Sequence, residues 1–496
     1  MRRPGSFLAA AALAAAAAGC AVGPNYHRPE APVPASFREE APAGSPAAAP
    51  DRWRPAQPAD ATSRGKWWEI FGDPALNALE EQVTVSNQTI ARAEAQFRGA
   101  RAAVRGARAD YYPTISTSPS VSRGQSGRTV ASTGTAATVT TYQLPVDLSY
   151  EVDVFGRIRR NVEANVAIAQ ATAADLETVR ITMHAELAVD YFQLHGVDAQ
   201  IQLLETTAAG YEKALQLTVN RHDQGIVSGV DVAQAETQLF TTRVQLTDLR
   251  LTRAQFEHAI AMLVGKAPGD FAVPPTPVVY VPPAIPVGLP SELLERRPEI
   301  ASAERRMAAA NAQIGVATSA FFPRLLLAAT GGYETTRLAD WFSLPSRFWS
   351  IGPSILFTIF DGGRRRAARE QAVASYDSAV AFYRENVLAA FVQVEDNVAA
   401  VRILAEEAAQ QTEAVAAAER LLSLAQSRYS GGITTYLEVV TAQQVALANE
   451  RAAVDVLTRR MTASVNLVKA LGGGWQAADG LQLSVVSSQS GAKPAN

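Results

Sequence analysis

The stretch from Arg364 to Leu471 decides the fold. It reads RRRAAREQAVASYDSAVAFYRENVLAAFVQVEDNVAAVRILAEEAAQQTEAVAAAERLLSLAQSRYS to Ser430 and GGITTYLEVVTAQQVALANERAAVDVLTRRMTASVNLVKAL after it. Neither 364–430 nor 433–471 contains glycine or proline, so the first part alone predicts a helix about 100 Å long. Its apolar residues recur at three and four positions, and those of the second part recur at seven. A sustained seven-residue repeat predicts coiled coil, with a helix of an ordinary soluble bundle as the alternative.

The same hairpin occurs twice along the chain. RHDQGIVS at 221–228 resembles RYSGGITT at 428–435, and one shift of 207 residues relates the two. Each copy holds a helix, an alternating apolar segment, a long helix, a tight turn and a return helix. The sequence therefore predicts a tandem structural repeat, with the first copy at 67–268, a linker at 269–290, the second copy at 291–473 and a polar tail at 474–496.

The N-terminal residues resemble a targeting segment followed by a tether. Arg2 and Arg3 precede a short apolar run, so residues 1–19 are predicted to be a secretory signal peptide and not a transmembrane helix. Cys20 is the only cysteine and follows a sequence similar to a lipobox, which predicts lipid attachment there; an unmodified thiol is the alternative. Residues 20–66, rich in proline and alanine, are predicted to form a lipid-anchored extended segment lying along a surface.

The first copy opens with an aromatic cluster. Trp67 and Trp68 are predicted to be a packing anchor, and Asp73 is predicted to cap a helix that begins at Pro74 and continues to about Asp110.

Alternating segments follow the first helix of each copy. The apolar positions are Leu144, Val146, Leu148, Tyr150 and Val152 in one copy and Trp349, Ile351, Pro353, Ile355, Phe357 and Ile359 in the other. They predict strands with one apolar and one polar face, as in outer-membrane barrels, and one hairpin per copy gives four strands. An open sheet in lipid would leave edge amides unpaired, so membrane insertion would require several copies of the chain.

Charge and motifs exclude other classes of protein. The formal net charge of −3 gives no indication of a nucleic-acid partner. The five histidines are scattered, and no catalytic, cofactor-binding or metal-binding motif is present, which predicts a protein that is not an enzyme. Two arginine clusters, Arg157, Arg159, Arg160 and Arg364–Arg366, are predicted to meet lipid headgroups or neighbouring subunits, with solvated charge as the alternative.

The assembled features resemble the TolC-like outer-membrane factors, in the lipoprotein branch of efflux subunits (OprM/NodT-like). The matching residues are Cys20–Tyr26, Trp67-Trp68 with Asp73-Pro74, Ala109–Pro113, Asp153–Arg157, Leu294–Ile300 and Gly352–Arg364. The resemblance implies a mainly α fold with a small β part. In it, three chains share one outer-membrane β-barrel of four strands per chain and a coiled-coil α-helical barrel across the periplasm.

The function that the resemblance implies is an exit duct. Such a duct serves a tripartite export system, of the RND efflux type, and docks to a periplasmic adaptor and an inner-membrane pump. Two alternatives stay open: a type I secretion duct of the same fold, and a lipid-anchored coiled-coil scaffold without a pore.

The resemblance also implies roles for the two helical turns. The residues that would dock the adaptor are Gly225, Ile226, Ser228, Gly432, Ile433 and Thr435. Glu438 matches an acidic gate position, Thr441 stands where some relatives carry aspartate, and Asp231 is the acidic position of the first copy. From the residues alone, Ser228 to Asp231 and Thr435 to Glu438 equally predict capping boxes of the return helices.

Overall fold

The structure, a computed structural model, describes residues 21–31, 34, 37–39, 65–125, 138–275, 280–283, 285 and 296–473. The predicted signal peptide, Cys20, the tail at 474–496 and much of the linker at 269–290 lie outside the described residues. Two compact units are present. The sheet unit takes the described residues within Met1–Glu30, Ala95–Ala173 and Ser302–Glu385, and the turn unit takes those within Ala31–Glu94, Ala174–Ala301 and Asn386–Asn496. Each unit thus draws on both sequence copies.

The predicted helices are present with closely similar bounds. They are α1 (Pro74–Ser86), α2 (Gln88–Ala109), α3 (Arg157–Asp223), α4 (Gly229–Leu263), α5 (Pro298–Ser319), α6 (Arg364–Ser430) and α7 (Tyr436–Ala470). The two long helices, α3 and α6, have 67 residues each, and the return helices, α4 and α7, have 35 each. The predicted long helices and the predicted tandem repeat are confirmed.

The prediction of one helix from Pro74 to about Asp110 was wrong, because the helix is interrupted at Asn87. The Asn87 Oδ1 atom accepts hydrogen bonds from the backbone N–H groups of Thr89 (2.9 Å) and Ile90 (3.0 Å). Its Nδ2 atom donates to the Leu263 carbonyl at 2.8 Å. Asparagine competes well for backbone groups at a helix start, and here its side chain ends α1 and caps α2.

The aromatic cluster is a packing anchor, as predicted. Trp67 and Trp68 lie in a 3-10 helix at Trp67–Phe71 and are buried against Phe192 and Val465. The cap at Asp73 is confirmed too: its Oδ1 atom accepts from the N–H groups of Ala75 (2.8 Å) and Leu76 (3.2 Å).

The strands form one antiparallel sheet in the sheet unit. They are β1 (Thr114–Thr117), β2 (Ser120–Gln125), β3 (Thr138–Val152), β4 (Arg324–Thr335) and β5 (Arg347–Leu356). Since β1 and β2 are separated by two residues and both pair with β3, they form one interrupted strand, and the sheet has the four predicted strand positions. The order is β1/β2, β3, β4, β5. Within the described residues, the outer edges of β1/β2 and of β5 pair with no other strand.

The helices of the sheet unit follow the same order as the strands that they join. Ala107 of α2 packs on Ile158 and Val162 of α3. Helices α3, α5 and α6 are neighbours that line one groove, with Ala164, Ala309 and Ala372 among its residues, and the strand order places α5, which leads into β4, between α3 after β3 and α6 after β5. The order is therefore α2, α3, α5, α6, with α2 beside the β1/β2 edge and α6 beside the β5 edge.

Candidate functional site: sheet faces, anchor segment and helical turns

The register places a largely apolar set of residues on one face of β3, β4 and β5. On β3, β4 and β5 in turn, Val146, Gly331 and Trp349 lie level with one another. The next rows down are Leu148 with Ala329 and Ile351, Tyr150 with Leu327 and Pro353, and Val152 with Leu325 and Ile355. Antiparallel partners point to the same face, so these rows form one continuous apolar surface.

That surface is open, and the opposite face is polar. Trp349, Ile351 and Ile355 are 79%, 74% and 72% exposed, which is a large apolar patch for any surface in contact with water. On the other face Thr330 donates a hydrogen bond to Asp147 at 2.7 Å. One apolar and one polar face along each strand is the pattern of strands that separate lipid from an aqueous interior.

The residues that follow Cys20 are held against the sheet unit. Arg160, at the start of α3, is 5% exposed. It donates to the carbonyls of Val22 and Gly23 (both 3.3 Å) and to Asn25 Oδ1 (2.9 Å). The Val22 N–H donates to the Phe155 carbonyl at 3.1 Å. Ala21 and Val22 are therefore fixed beside the end of β3.

Further along, the same segment keeps contact with helices of the chain. Asn311 of α5 donates to the Pro24 carbonyl at 3.0 Å, and Arg28 donates to the Tyr383 hydroxyl at 3.1 Å. In the turn unit, the N–H groups of Arg38 and Glu39 donate to the Glu395 carboxylate. The described residues of the N-terminal segment thus make hydrogen bonds to helices in both units.

The prediction for the arginine clusters is wrong at four positions. Arg157 pairs with Glu151 at 2.7 Å, Arg159 with Asp153 at 3.4 Å, and Arg365 with Asp361 at 2.6 Å. Arg160 serves the N-terminal segment. These guanidinium groups meet carboxylates and carbonyls of their own chain, so they need no lipid phosphate or neighbouring subunit.

The first helical turn is closed by glycine and capped by aspartate. Gly225 has φ 72°, a conformation that favours glycine, and the Ile226 N–H donates back to the Arg221 carbonyl at 2.9 Å. The Asp231 carboxylate accepts from the N–H and the hydroxyl of Ser228, both at 2.9 Å. The predicted capping interaction at Asp231 is confirmed.

The second turn has the same backbone but uses its acid differently. Gly432 has φ 71°, and the Ile433 N–H donates to the Arg428 carbonyl at 2.9 Å. The Glu438 carboxylate accepts from the Thr434 hydroxyl and lies 3.8 Å from the Arg428 guanidinium. A capping box between Thr435 and Glu438 was a wrong prediction: the longer side chain reaches sideways to Thr434 and Arg428, and Thr435 makes no side-chain cap.

The turn unit brings the two turns together. The rings of Tyr429 and Tyr436 are 5.4 Å apart, and the Arg221 guanidinium lies 5.1 Å from the Tyr429 ring. Tyr436 packs with Ala235 and Val440 in a small core between α4 and α7. Thr441 is exposed, and its hydroxyl donates to the Leu437 carbonyl of its own helix at 2.9 Å.

A buried polar pair escaped the sequence analysis. His184 Nδ1 lies 2.6 Å from Glu80 Oε2, Glu80 is fully buried, and Trp68 stacks on the imidazole with ring centres 4.5 Å apart. Burial raises the pKa of Glu80. Burial, and secondarily the charge of Arg180, lowers the pKa of His184 to about 4. A local sequence pattern cannot predict a pair whose two residues are 104 positions apart.

Two kinds of feature are absent from the described residues. No helix there is both long enough and apolar enough to cross a bilayer. No group of three or more histidine, cysteine, aspartate or glutamate side chains there is arranged to hold a metal ion.

Comparisons with known proteins agree on one family. The model of the outer membrane efflux protein family matches residues 79–266 and 289–473. The probable efflux pump outer membrane protein TtgC of Pseudomonas putida is 33% identical over 473 residues, which cover 95% of this chain and 96% of that protein. The pyoverdine export outer membrane protein OpmQ of Pseudomonas aeruginosa is 33% identical over 444 residues, covering 88% and 93%. The solved outer-membrane channel OprN is 31% identical with a TM-score of 0.82, covering 92% of this chain and all of that one.

Proposed function

Since this chain belongs to the outer membrane efflux protein family, it is an efflux channel of the outer membrane with a periplasmic helical part, and we propose that it works as a homotrimer. The observation that carries the proposal is the sheet: an apolar face across β3, β4 and β5, a more polar opposite face and two outer edges without a strand partner in the described chain. Unpaired edge amides are costly in lipid. Copies that join edge to edge satisfy them and enclose the polar face.

We propose that the duct is the passive exit of a tripartite RND-type pump for small molecules, and that it carries out no catalysis. Its partners would be a periplasmic adaptor and, through it, an inner-membrane pump. The relatives named for efflux and for pyoverdine export support this class of cargo.

The adaptor would dock on the two turns, at Gly225, Ile226, Ser228, Gly432, Ile433 and Thr435. Ile226 and Ile433 are 66% and 72% exposed. Apolar side chains held outward on well-formed turns are what a partner helix would cover.

The gate would lie just past the turns, at Glu438 with Thr441, and with Asp231 in the first copy. Glu438 supports the proposal best, because its carboxylate does not cap its helix and pairs with Arg428 only at 3.8 Å in a half-exposed setting. Such a pair is weak, so contact of an adaptor with the turn could exchange it. Asp231 holds its own turn together, which favours a supporting role in the gate.

The anchor would be a lipid on Cys20, placed at the foot of the sheet by the docking of Ala21 and Val22. The chain before it would be a signal peptide at 1–19. We also propose the repeat boundaries 67–268 and 291–473, joined by the linker at 269–290.

Conductance across a planar bilayer tests the duct. Purified protein should give discrete channel steps, and Glu438→Gln should enlarge them by weakening the closed gate. Glu413→Gln is the matched control, since Glu413 is exposed on α6 and the described residues give it no ion pair. A tight seal without steps in all three proteins would overturn the duct and favour a scaffold. Equal steps in all three would overturn the role of Glu438 alone.

A further inference from the structure

One face of α2 carries an unusual run of charge. Arg98, Arg101, Arg105 and Arg108 fall within an arc of about 80° at 3.6 residues per turn, and all four are exposed. No acidic residue occurs from Ala95 to Ala109. Within the part of the chain that the structure describes, none of the four arginines makes an ion pair. Four cations over about 15 Å of helix without a carboxylate among the described residues make a strongly positive surface that attracts an anionic partner.

The second copy shows what covers the equivalent face. A shift of 210 residues, from Pro113 to Pro323, places Ala308, Asn311, Gly315 and Thr318 of α5 where α2 has its arginines. There the N-terminal segment of the same chain docks: Asn311 donates to the Pro24 carbonyl, and Gly23 approaches Gly315. This face of the helix is thus a contact face in one copy, whereas on α2 it presents arginines that no described segment of the chain covers.

A complementary stripe lies on α6. Glu370 and Asp377 point within about 20° of each other, are exposed, and make no ion pair among the described residues. Counting inward from Ala109 and from Arg364, the sheet ends of the two helices, Glu370 comes level with Arg101 and Arg105. Asp377 comes close to the level of Arg98.

These two stripes cannot meet within one chain. Helices α3 and α5 lie between α2 and α6, which sit at opposite edges of the sheet unit. Helix α2 leads into β1, at one unpaired sheet edge, and α6 follows β5, at the other. A second copy that pairs its β5 with β1/β2 of the first therefore brings its α6 alongside the first copy's α2.

The positions of the charged stripes around the two helices are also compatible with this contact. On each helix the charged stripe lies between the face packed on its own chain and a ridge of exposed alanines, which includes Ala95 and Ala102 on α2 and Ala374 and Ala381 on α6. Viewed from the N-terminus of each helix, the packed face, the charged stripe and the alanine ridge follow one another in the same rotational sense on α2 and α6. The two helices run antiparallel. When the two ridges face each other, both stripes therefore fall on the same side of the contact.

We propose that the arginine stripe of α2, Arg98, Arg101, Arg105 and Arg108, receives Glu370 and Asp377 of a second copy of this chain and thereby fixes the register of neighbouring subunits around the duct. This rests on the proposed assembly and adds the residues that make it specific. Arg366 and Arg384 flank the acidic pair on the same side of α6, so the attraction is confined to the two turns between them. Charge pairs of this kind set register and choice of partner.

Charge reversal tests the proposal in full-length, lipid-anchored protein, with native mass spectrometry in mild detergent as the readout. Arg101→Glu with Arg105→Glu should raise the dissociation constant of the oligomer at least about tenfold, since like charges across an interface are costly. Glu370→Arg with Asp377→Arg should do the same. The four substitutions together should recover most of the loss. Arg92→Glu is the control, because Arg92 is exposed on another side of α2.

The outcomes separate this inference from the proposed function. A monomeric wild-type protein would overturn the assembled duct and this contact with it. A stable wild-type oligomer that tolerates both reversals as well as Arg92→Glu would overturn the contact alone. Loss of binding of the α2 reversal to anionic vesicles, with the oligomer intact, would assign the arginines to lipid and would likewise overturn the contact. Helical content by circular dichroism should match wild type in every variant, because all these side chains are exposed.

Discussion

The anchor segment of the sheet unit and the turns of the turn unit are both built on glycines with positive φ, yet their surroundings are opposite. A Cβ on Gly23 (φ 97°) would lie 2.5 Å from the Cα of Gly315, whereas a Cβ on Gly225 or Gly432 would meet nothing within 4 Å. At the anchor segment a buried arginine satisfies backbone carbonyls; at the turns, isoleucines point outward. The first is a tightly packed contact within the chain, and the second is an exposed surface that a partner could cover.

The largest loss of stability should come from replacing Arg160, the buried residue that binds the anchor segment. Arg160→Ala leaves the carbonyls of Val22 and Gly23 and the Asn25 side chain without their donor, so we expect a loss of about 3 kcal/mol in the free energy of unfolding. Cleavage within residues 21–25 by an added protease should also accelerate. Thermal unfolding and timed proteolysis measure the two effects.

The matched control is the exposed partner of the same arginine. Glu163 pairs with Arg160 at 2.8 Å, but its side chain is 42% exposed, so Glu163→Gln should cost less than about 1 kcal/mol. Equal losses of stability in the two variants would show that the contacts of Arg160 with the anchor segment contribute no more than an ordinary surface ion pair.

An intermediate effect is expected at the buried pair of Glu80 and His184, which tests whether burial alone makes polar contacts matter. The folded pair holds one proton. The unfolded state binds none above the ordinary histidine pKa of about 6.5, one down to the ordinary glutamate pKa of about 4.5, and two below it.

The sign of the pH dependence follows from this proton count. Above pH 6.5 the folded state binds more protons, so stability should fall as pH rises, by up to about 1.4 kcal/mol per pH unit, until the raised pKa of Glu80 is reached. Between about pH 4.5 and 6.5 it should be flat, and below 4.5 it should fall again toward the lowered pKa of His184, about 4. Wild type should follow this curve, whereas the apparent Tm of wild type minus that of Glu80→Gln cancels the His184 contribution and should fall continuously as pH rises above about 4.5. A difference independent of pH from 5 to 8 would contradict it.

The smallest effects should be found at the turns, where the two acids differ. Asp231→Ala removes the acceptor for the Ser228 N–H and hydroxyl and should cost about 1 kcal/mol. Glu438→Ala removes only a half-exposed contact and should cost less than about 0.5 kcal/mol. Hydrogen exchange of the first turns of α4 and α7 measures both. If the order were reversed, Glu438 would be a structural cap and its candidacy for the gate would be weakened.

The sequence predicted those parts of the molecule that rest on periodicity. Long stretches without proline predicted α3 and α6, because only two isolated glycines, Gly196 and Gly210, occur in α3 and none in α6. Alternation predicted which side of β3 and β5 is apolar, since side chains alternate strictly along a strand. Asp73 before Pro74 predicted a helix start, because capping depends only on neighbours in sequence.

What the sequence could not predict depends on contacts between distant residues or on side-chain length. Asn87 interrupts a helical pattern because it meets the Leu263 carbonyl, 176 residues away. Arg157 and Arg159 follow β3 and pair with Glu151, near the end of that strand, and with Asp153, just after it. At the candidate gate, one extra methylene distinguishes Glu438 from Asp231, and that is enough to take its carboxylate away from the backbone.

The equal lengths of the paired helices make the chain intolerant of small insertions. One residue added to α3 alone would rotate everything after it by about 100° and advance it by about 1.5 Å. Arg221 would then leave the ring of Tyr429, which belongs to the other copy. Changes in the span of this protein must therefore enter both copies together, in multiples that restore the helical phase, whereas the segments joining the strands are free of that constraint.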